Sequence, residues 1–339
     1  MHMADALLSP AVGATMCAVS AAANAYAVKR IKKDDLCEKK IPVMGVMGAF
    51  VFAAQMINFT IPATGSSGHI GGGIMLAAMI GGFPALLSIS AVLIIQCLFF
   101  ADGGLLALGC NIFNLGVIPC LIVYPLLFKP LIKKGITLGR LTAASIISVV
   151  VSLQLGAFCV VLQTQLSGNT ELPFAAFLLL MQPIHLAIGA AEGVITAAVV
   201  CFVYKMRPEI VESASERTAI QKGVPMKNVL IALALIAVLA GGVLSVFASS
   251  YPDGLEWAIK KTTGQEPETG GEGFEQALPI RGTSAIMPDY DFKDAAENGS
   301  GAGTAVAGII GGALTFALAG GAAFAISAYK KKRKGASPT

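Results

Sequence analysis

Charged residues are scarce in this chain: Asp, Glu, Lys and Arg make up 13% of its 339 residues, against 55% hydrophobic ones. Soluble domains carry about twice that charged fraction, so a globular core with a solvated shell is excluded. No G-x-x-x-x-G-K-[ST] run occurs, which excludes ATP hydrolysis by this chain through a P-loop. Histidine is rarer still, with three in all: His2, His69 and His185. The first apolar segment lacks a basic leader and a small-residue cleavage site, so it is expected to be retained and not removed as a signal peptide. The seven cysteines all fall in predicted spans or in basic segments, and none lies in the long polar loop near the C-terminus. A disulfide framework is therefore not expected.

What is present is apolar sequence in lengths that suit a bilayer. A hydrocarbon core of about 30 Å needs about 20 apolar residues per helix. Candidate spans lie near 7–28, 42–59, 70–83, 84–101, 105–128, 141–163, 174–204, 228–249 and 303–329. The third is short and rich in glycine. Basic residues cluster in 29–40 (six), 129–140 (four), 205–227 (five) and 330–334 (five). By the positive-inside rule all four segments are cytoplasmic, which puts the N-terminus outside, the C-terminus inside and three spans between residues 60 and 128. The net charge of +4 is thus explained by topology, with no nucleic acid implied.

Composition changes near residues 205–227. Seven closely spaced spans precede that segment, and two spans around a polar loop follow it. The expected architecture is an all-α polytopic membrane protein: a seven-helix bundle over 1–204, a linker over 205–226, and a two-span accessory part over 227–339 with an extracytoplasmic loop over 250–301. That loop holds ten of the twenty acidic residues against four basic ones. It either raises the local cation concentration or is solvated without a task.

Two of the histidines suggest chemistry. In Met1-His2, a free α-amine, the His2 amide nitrogen and the His2 imidazole can close fused five- and six-membered chelate rings on one metal ion. His69, in the glycine-rich run Gly65-Ser66-Ser67-Gly68-His69-Ile70-Gly71-Gly72-Gly73, can supply a fourth nitrogen. Four nitrogens in a plane suit Ni(II), Cu(II) or low-spin Co(II). Met1 is expected to stay attached, because the bulky His2 is a poor context for its removal. His185 and Glu192 are seven residues apart, hence on one face of the seventh span; they are a functional pair or a helix-to-helix hydrogen-bonding pair. Asp102, Asn111, Asn114, Gln55 and Asn58 are further buried polar groups, some of which can orient His2 or His69.

Two other classes fit parts of the pattern. Gly65-Ser66-Ser67-Gly68 resembles the nucleophile motif of intramembrane serine proteases, with Ser67 as nucleophile and His185 as base. That reading leaves Met1-His2 unexplained and His69 idle. A proton-coupled metal exporter would need acidic residues through the spans, where only Asp102 and Glu192 stand.

Several consecutive motifs carry a family resemblance. Met1-His2-Met3-Ala4-Asp5, the run Val43 to Phe59, the Gly65 to Gly73 segment, and Gln96 to Asn114 with Asp102-Gly103-Gly104 resemble the CbiM/NikM substrate-binding membrane component of energy-coupling factor nickel/cobalt transporters. Tyr251-Pro252-Asp253-Gly254-Leu255-Glu256-Trp257 resembles the small accessory subunit, here fused as in the NikMN type. The resemblance implies a transporter and not an enzyme, with Met1, His2 and His69 holding Ni2+ or Co2+ as transported substrate and no cofactor. It also implies partners: a transmembrane coupling subunit and cytoplasmic ATPase subunits in a prokaryotic cell membrane. Nickel and cobalt are not separated by it.

Overall fold

The computed structural model describes residues 2–31, 33–36, 38–170, 172–221, 223–264, 285–292 and 301–335. Met1, Cys37 and most of the loop over 250–301 lie outside them. The described residues are mostly helical, with one short hairpin among them, β1 (Phe59–Ile61) paired antiparallel to β2 (Ser66–Gly68).

Among the described residues, six helices are long and apolar enough to cross a membrane. They are α1 (Pro10–Arg30), α4 (Gly82–Phe100), α5 (Leu108–Ile132), α6 (Leu138–Ser167), α7 (Phe174–Met206) and α11 (Gly301–Gly335). Two shorter apolar helices, α2 (Lys40–Gln55) and α9 (Lys227–Gly242), accompany them. A polar pair, α8 (Pro208–Glu216) and α10 (Gly254–Thr263), completes the set.

The third expected span is shorter than its apolar run. Helix α3 covers only Gly73–Ile80, about 12 Å at 1.5 Å per residue. Gly72 (φ 79°) and Gly81 (φ 84°) close it off in backbone regions that side chains disfavour. All eight of its residues are buried, because it is ringed by α2, α4, α5 and α7. Helix α5 is widened into π-type winding over Phe113–Phe128, where Pro119 and Pro125 interrupt the α ladder. A methyl group on Gly73 would overlap Pro119, so α3 approaches α5 as closely as glycine permits.

The basic segments meet at one end of the bundle. Lys39 Nζ donates to the carbonyls of Gln221 (2.7 Å) and Val224 (2.6 Å), and Lys40 Nζ to Ser213 (3.0 Å) and Thr218 (2.7 Å). Arg217 pairs with Asp35 and donates to Arg30 O, while Lys330 Nζ donates to Val28 O. Helix α1 runs from this end to the other, where its N-terminal segment and the hairpin lie.

The accessory helices do not stand apart. Both α9 and α11 pack on α2 and on each other, through small residues that bring backbones together: Gly241 of α9 faces Gly308 of α11, and a methyl group on Gly48 of α2 would sit 3.3 Å from Thr315 of α11. Close approach through glycine is how helices associate where lipid removes the hydrophobic incentive.

Candidate metal centre

The N-terminal segment is held extended by its own sequence and one asparagine. Asn111 on α5 bonds both sides of Met3: the Met3 N–H donates to Oδ1 (2.8 Å) and Nδ2 donates to Met3 O (3.2 Å). Asp5 Oδ1 accepts from the Ala107 N–H at 2.9 Å. Gly103 (φ 71°) and Gly104 make room for this crossing, since a methyl group on Gly103 would lie 2.7 Å from Asn111 Nδ2 and one on Gly104 would overlap Asp5. These contacts set the chain direction at His2.

His69 arrives from the other side. The segment after β2 enters the bundle as non-helical backbone, which a membrane protein tolerates only where its polar groups are satisfied. Glu192 on α7 satisfies two of them, accepting from the N–H of Gly71 (2.8 Å) and Gly72 (2.9 Å). Gln55 Nε2 donates to Gly71 O (2.9 Å), and Gln55 Oε1 accepts from Gln96 Nε2 (2.8 Å). Gly68 must be glycine, because a methyl group there would lie 2.6 Å from Ile188.

The result is that the His2 and His69 imidazoles stack, centroids 5.0 Å apart and planes within 7°. His69 Nδ1 lies 3.0 Å from the acceptor Ile70 O; the bond sets Nδ1 as the protonated nitrogen and leaves Nε2 with the lone pair. His2 Nε2 has no hydrogen-bond partner among the described residues, and its Nδ1 faces Asp102 Oδ1 at 3.4 Å. Burial holds the His2 pKa below its ordinary value, outweighing the nearby Asp102 carboxylate, so the ring is neutral and ready to ligate. Met1 lies outside the described residues.

The other polar candidates separate cleanly. Glu192 bonds a loop and not a helix, and His185 donates through Nδ1 to Met181 O one turn back on its own helix (2.8 Å), so neither makes the expected hydrogen bond to another helix. His185 Nε2 is buried without a hydrogen-bond partner among the described residues, beneath Gly254, where a methyl group would come within 3.4 Å of it. Asn114 pairs reciprocally with Gln163 (2.9 and 3.2 Å), and Asn58 contributes its backbone carbonyl to Ser249 N at 2.8 Å. Ser67 Oγ donates to Tyr251 O at 2.7 Å, and its N–H donates to Pro252 O at 2.8 Å. The hydroxyl proposed as a protease nucleophile thus ties the hairpin to the accessory part.

Sequence reasoning missed that docking. Asp253 caps α10, accepting from the N–H of Leu255 (2.8 Å) and Glu256 (2.9 Å) while Glu256 Oε2 accepts from Asp253 N (3.0 Å). This capping box presents the preceding carbonyls to Ser67, and Trp257 Nε1 donates to Thr64 O at 2.9 Å. The S/T/D-x-x-E spacing in Asp253 to Glu256 announces the helix start; its partner on the hairpin has no local signature.

Residues 2–210 match the family described as the cobalt uptake substrate-specific transmembrane region, and residues 227–328 match the PDGLE domain. A protein of Archaeoglobus fulgidus whose name assigns it to fused nickel transport, NikMN, is 30% identical over 98% of this chain and 99% of its own. The cobalt transport protein CbiM of Geobacter sulfurreducens is 27% identical over 71% of this chain and 70% of its own. A solved structure titled as a truncated transition metal transporter superposes with a TM-score of 0.53 at 27% identity, covering 61% of this chain and 99% of that one.

Proposed function

The chain belongs to the cobalt uptake substrate-specific transmembrane family, and from that premise we propose that it binds Ni2+ or Co2+ outside the cell and delivers it inward as the substrate-specificity component of an ATP-driven energy-coupling factor transporter. It is a multi-pass membrane protein related to metal transporters. The observation that carries the proposal is the stacking of His2 on His69 at 5.0 Å. It brings together two of the three histidines in 339 residues, one on an extended N-terminus and one on an inserted glycine loop, and burial keeps the His2 ring neutral. Under this reading Met1 supplies its amine, His2 its amide nitrogen and Nδ1, and His69 its Nε2.

Under this reading, and in keeping with the lack of a P-loop run, energy comes from separate subunits, a transmembrane coupling protein and cytoplasmic ATPases, on the cytoplasmic side. The acidic loop of the accessory part lies on the outer side in this topology, and residues 1–204 and 227–339 act as metal-binding component and accessory part.

The decisive experiment alters the N-terminus. Adding one residue before Met1 moves the amine away and replaces it with a peptide nitrogen, so the chelate is lost. Nickel titration of a C-terminally tagged protein should give tight binding and a square-planar d–d band; the N-terminally extended protein should lose both. Equal affinity and an unchanged band in the extended form refute the chelate.

A further inference from the structure

The nitrogen of His2 that closes the six-membered chelate ring is Nδ1, and Nδ1 is the nitrogen that Asp102 faces, at 3.4 Å. That separation is longer than a hydrogen bond, so nothing but its surroundings fixes the carboxylate. What fixes it comes from the accessory half: Tyr290 donates its hydroxyl to Asp102 Oδ2.

Tyr290 is itself firmly placed. Its ring stacks on Phe100, centroids 5.0 Å apart and planes 17° from parallel. Just before it, the N–H groups of Ile286 (2.9 Å) and Met287 (3.2 Å) both donate to Phe99 O. Asp289 (φ 50°) and Tyr290 (φ 62°) both adopt left-handed backbone. Such conformations are uncommon for residues with side chains and persist where surrounding contacts over-determine them. Burial and the Asp102 carboxylate push the Tyr290 phenol well above its usual range, so it is a donor at all physiological pH.

We propose that Tyr290 is a positioning residue for the metal centre: by holding one oxygen of Asp102 it keeps the other beside Nδ1 of His2, placing a fixed negative charge at the edge where a divalent cation binds. The inference rests on the proposed function and adds to it that the accessory half sets the affinity of a site whose ligands all lie in the other half. Outer partners of metal ligands are worth about 10–100-fold in affinity.

The test uses the full-length protein with a native N-terminus, titrated with Ni2+ alone. Tyr290→Phe keeps the ring on Phe100 and removes only the hydroxyl; affinity should fall about 10-fold, with a shifted d–d band. Asp102→Asn should fall at least as far. The double variant should match Asp102→Asn, because the tyrosine acts through the carboxylate. Wild-type affinity and band in Tyr290→Phe, with or without a lower Tm, overturn the proposal, as do losses that add in the double variant. If the wild type binds no nickel, the functional reading falls and the positioning role with it; binding by the wild type with no response to Tyr290→Phe removes the positioning role alone.

Discussion

Glu192→Gln separates a loop anchor from a proton carrier. Glu192 is 2% exposed and accepts two backbone N–H groups, from Gly71 at 2.8 Å and Gly72 at 2.9 Å. Glutamine keeps the shape but offers one acceptor, and turns its NH2 toward the second backbone donor. One hydrogen bond to a charged acceptor, worth about 1.5–3 kcal/mol, is lost, and the survivor drops to the neutral value of about 1 kcal/mol. A net loss of about 2–4 kcal/mol in ordering the loop that carries His69 corresponds, at 1.4 kcal/mol per tenfold, to nickel affinity roughly 30-fold to several hundred-fold weaker. Calorimetric nickel titration of purified protein, run beside metal uptake in cells carrying the complete transporter, reads both quantities. The anchor predicts that binding and transport fail together. Unchanged nickel affinity in a variant that no longer transports would refute the argument and would favour proton-coupled exchange through Glu192.

Ser67→Ala removes a hydroxyl whose bond is to Tyr251 O; nickel affinity should stay within a few-fold by titration, and loss of a proteolytic activity on this change would reverse the assignment. Deleting residues 227–339 should leave a nickel site measurable by titration, because Met1, His2 and His69 remain, but weaker and with impaired uptake; complete loss of binding with the helical circular dichroism intact would mean that the ligands are misassigned. Because burial lowers the His2 pKa below 6.5, the unfolded chain takes up a proton there that the folded chain does not. Stability conferred by the neutral ring is therefore present above about pH 6.5 and declines as pH falls below it. The Tm of the metal-free protein should drop across that window, and drop less in His2→Ala.

Much of this was legible in the chain, and the reasons differ by element. Long apolar runs located α4, α6 and α7 because twenty or so apolar residues have few other uses. The chemistry of Met1-His2 and the glycines around His69 pointed to one site, since chelate rings and tight backbone approach leave local signatures. The third span failed: its apolar residues run past Gly81, but Gly72 and Gly81 in positive-φ conformations break the helix to eight residues, and hydropathy does not register backbone angle. His185 and Glu192 share a face, but the hydrogen bonds expected to another helix go to the Gly71–Gly72 loop and to Met181 O, because spacing along a helix says what shares a face and not what that face meets. Tyr290 carried no signal at all, since its role depends on Phe100 and Asp102, 190 and 188 positions away.

The inserted loop also explains how a site at one end of the bundle can be sensed at the other. His69 is followed within four residues by α3, and α3 ends at Gly81, where a methyl group would meet Ala214 O of α8 at 3.4 Å. Gly81 (φ 84°, ψ 156°) lies in a region that only glycine occupies readily. This buried eight-residue helix is thus bounded by glycines in positive-φ conformations at both ends. Under the proposed function, a coupling subunit that shifts α8 at the basic end therefore acts on the loop holding His69 without remodelling the long spans around it. The ligands on the N-terminal segment are tied instead to α5 through Asn111. Under the proposed function, a shift of α3 relative to α5 is therefore expected to separate His69 from His2 and weaken nickel binding, which nickel titration in the presence and absence of the coupling subunit checks.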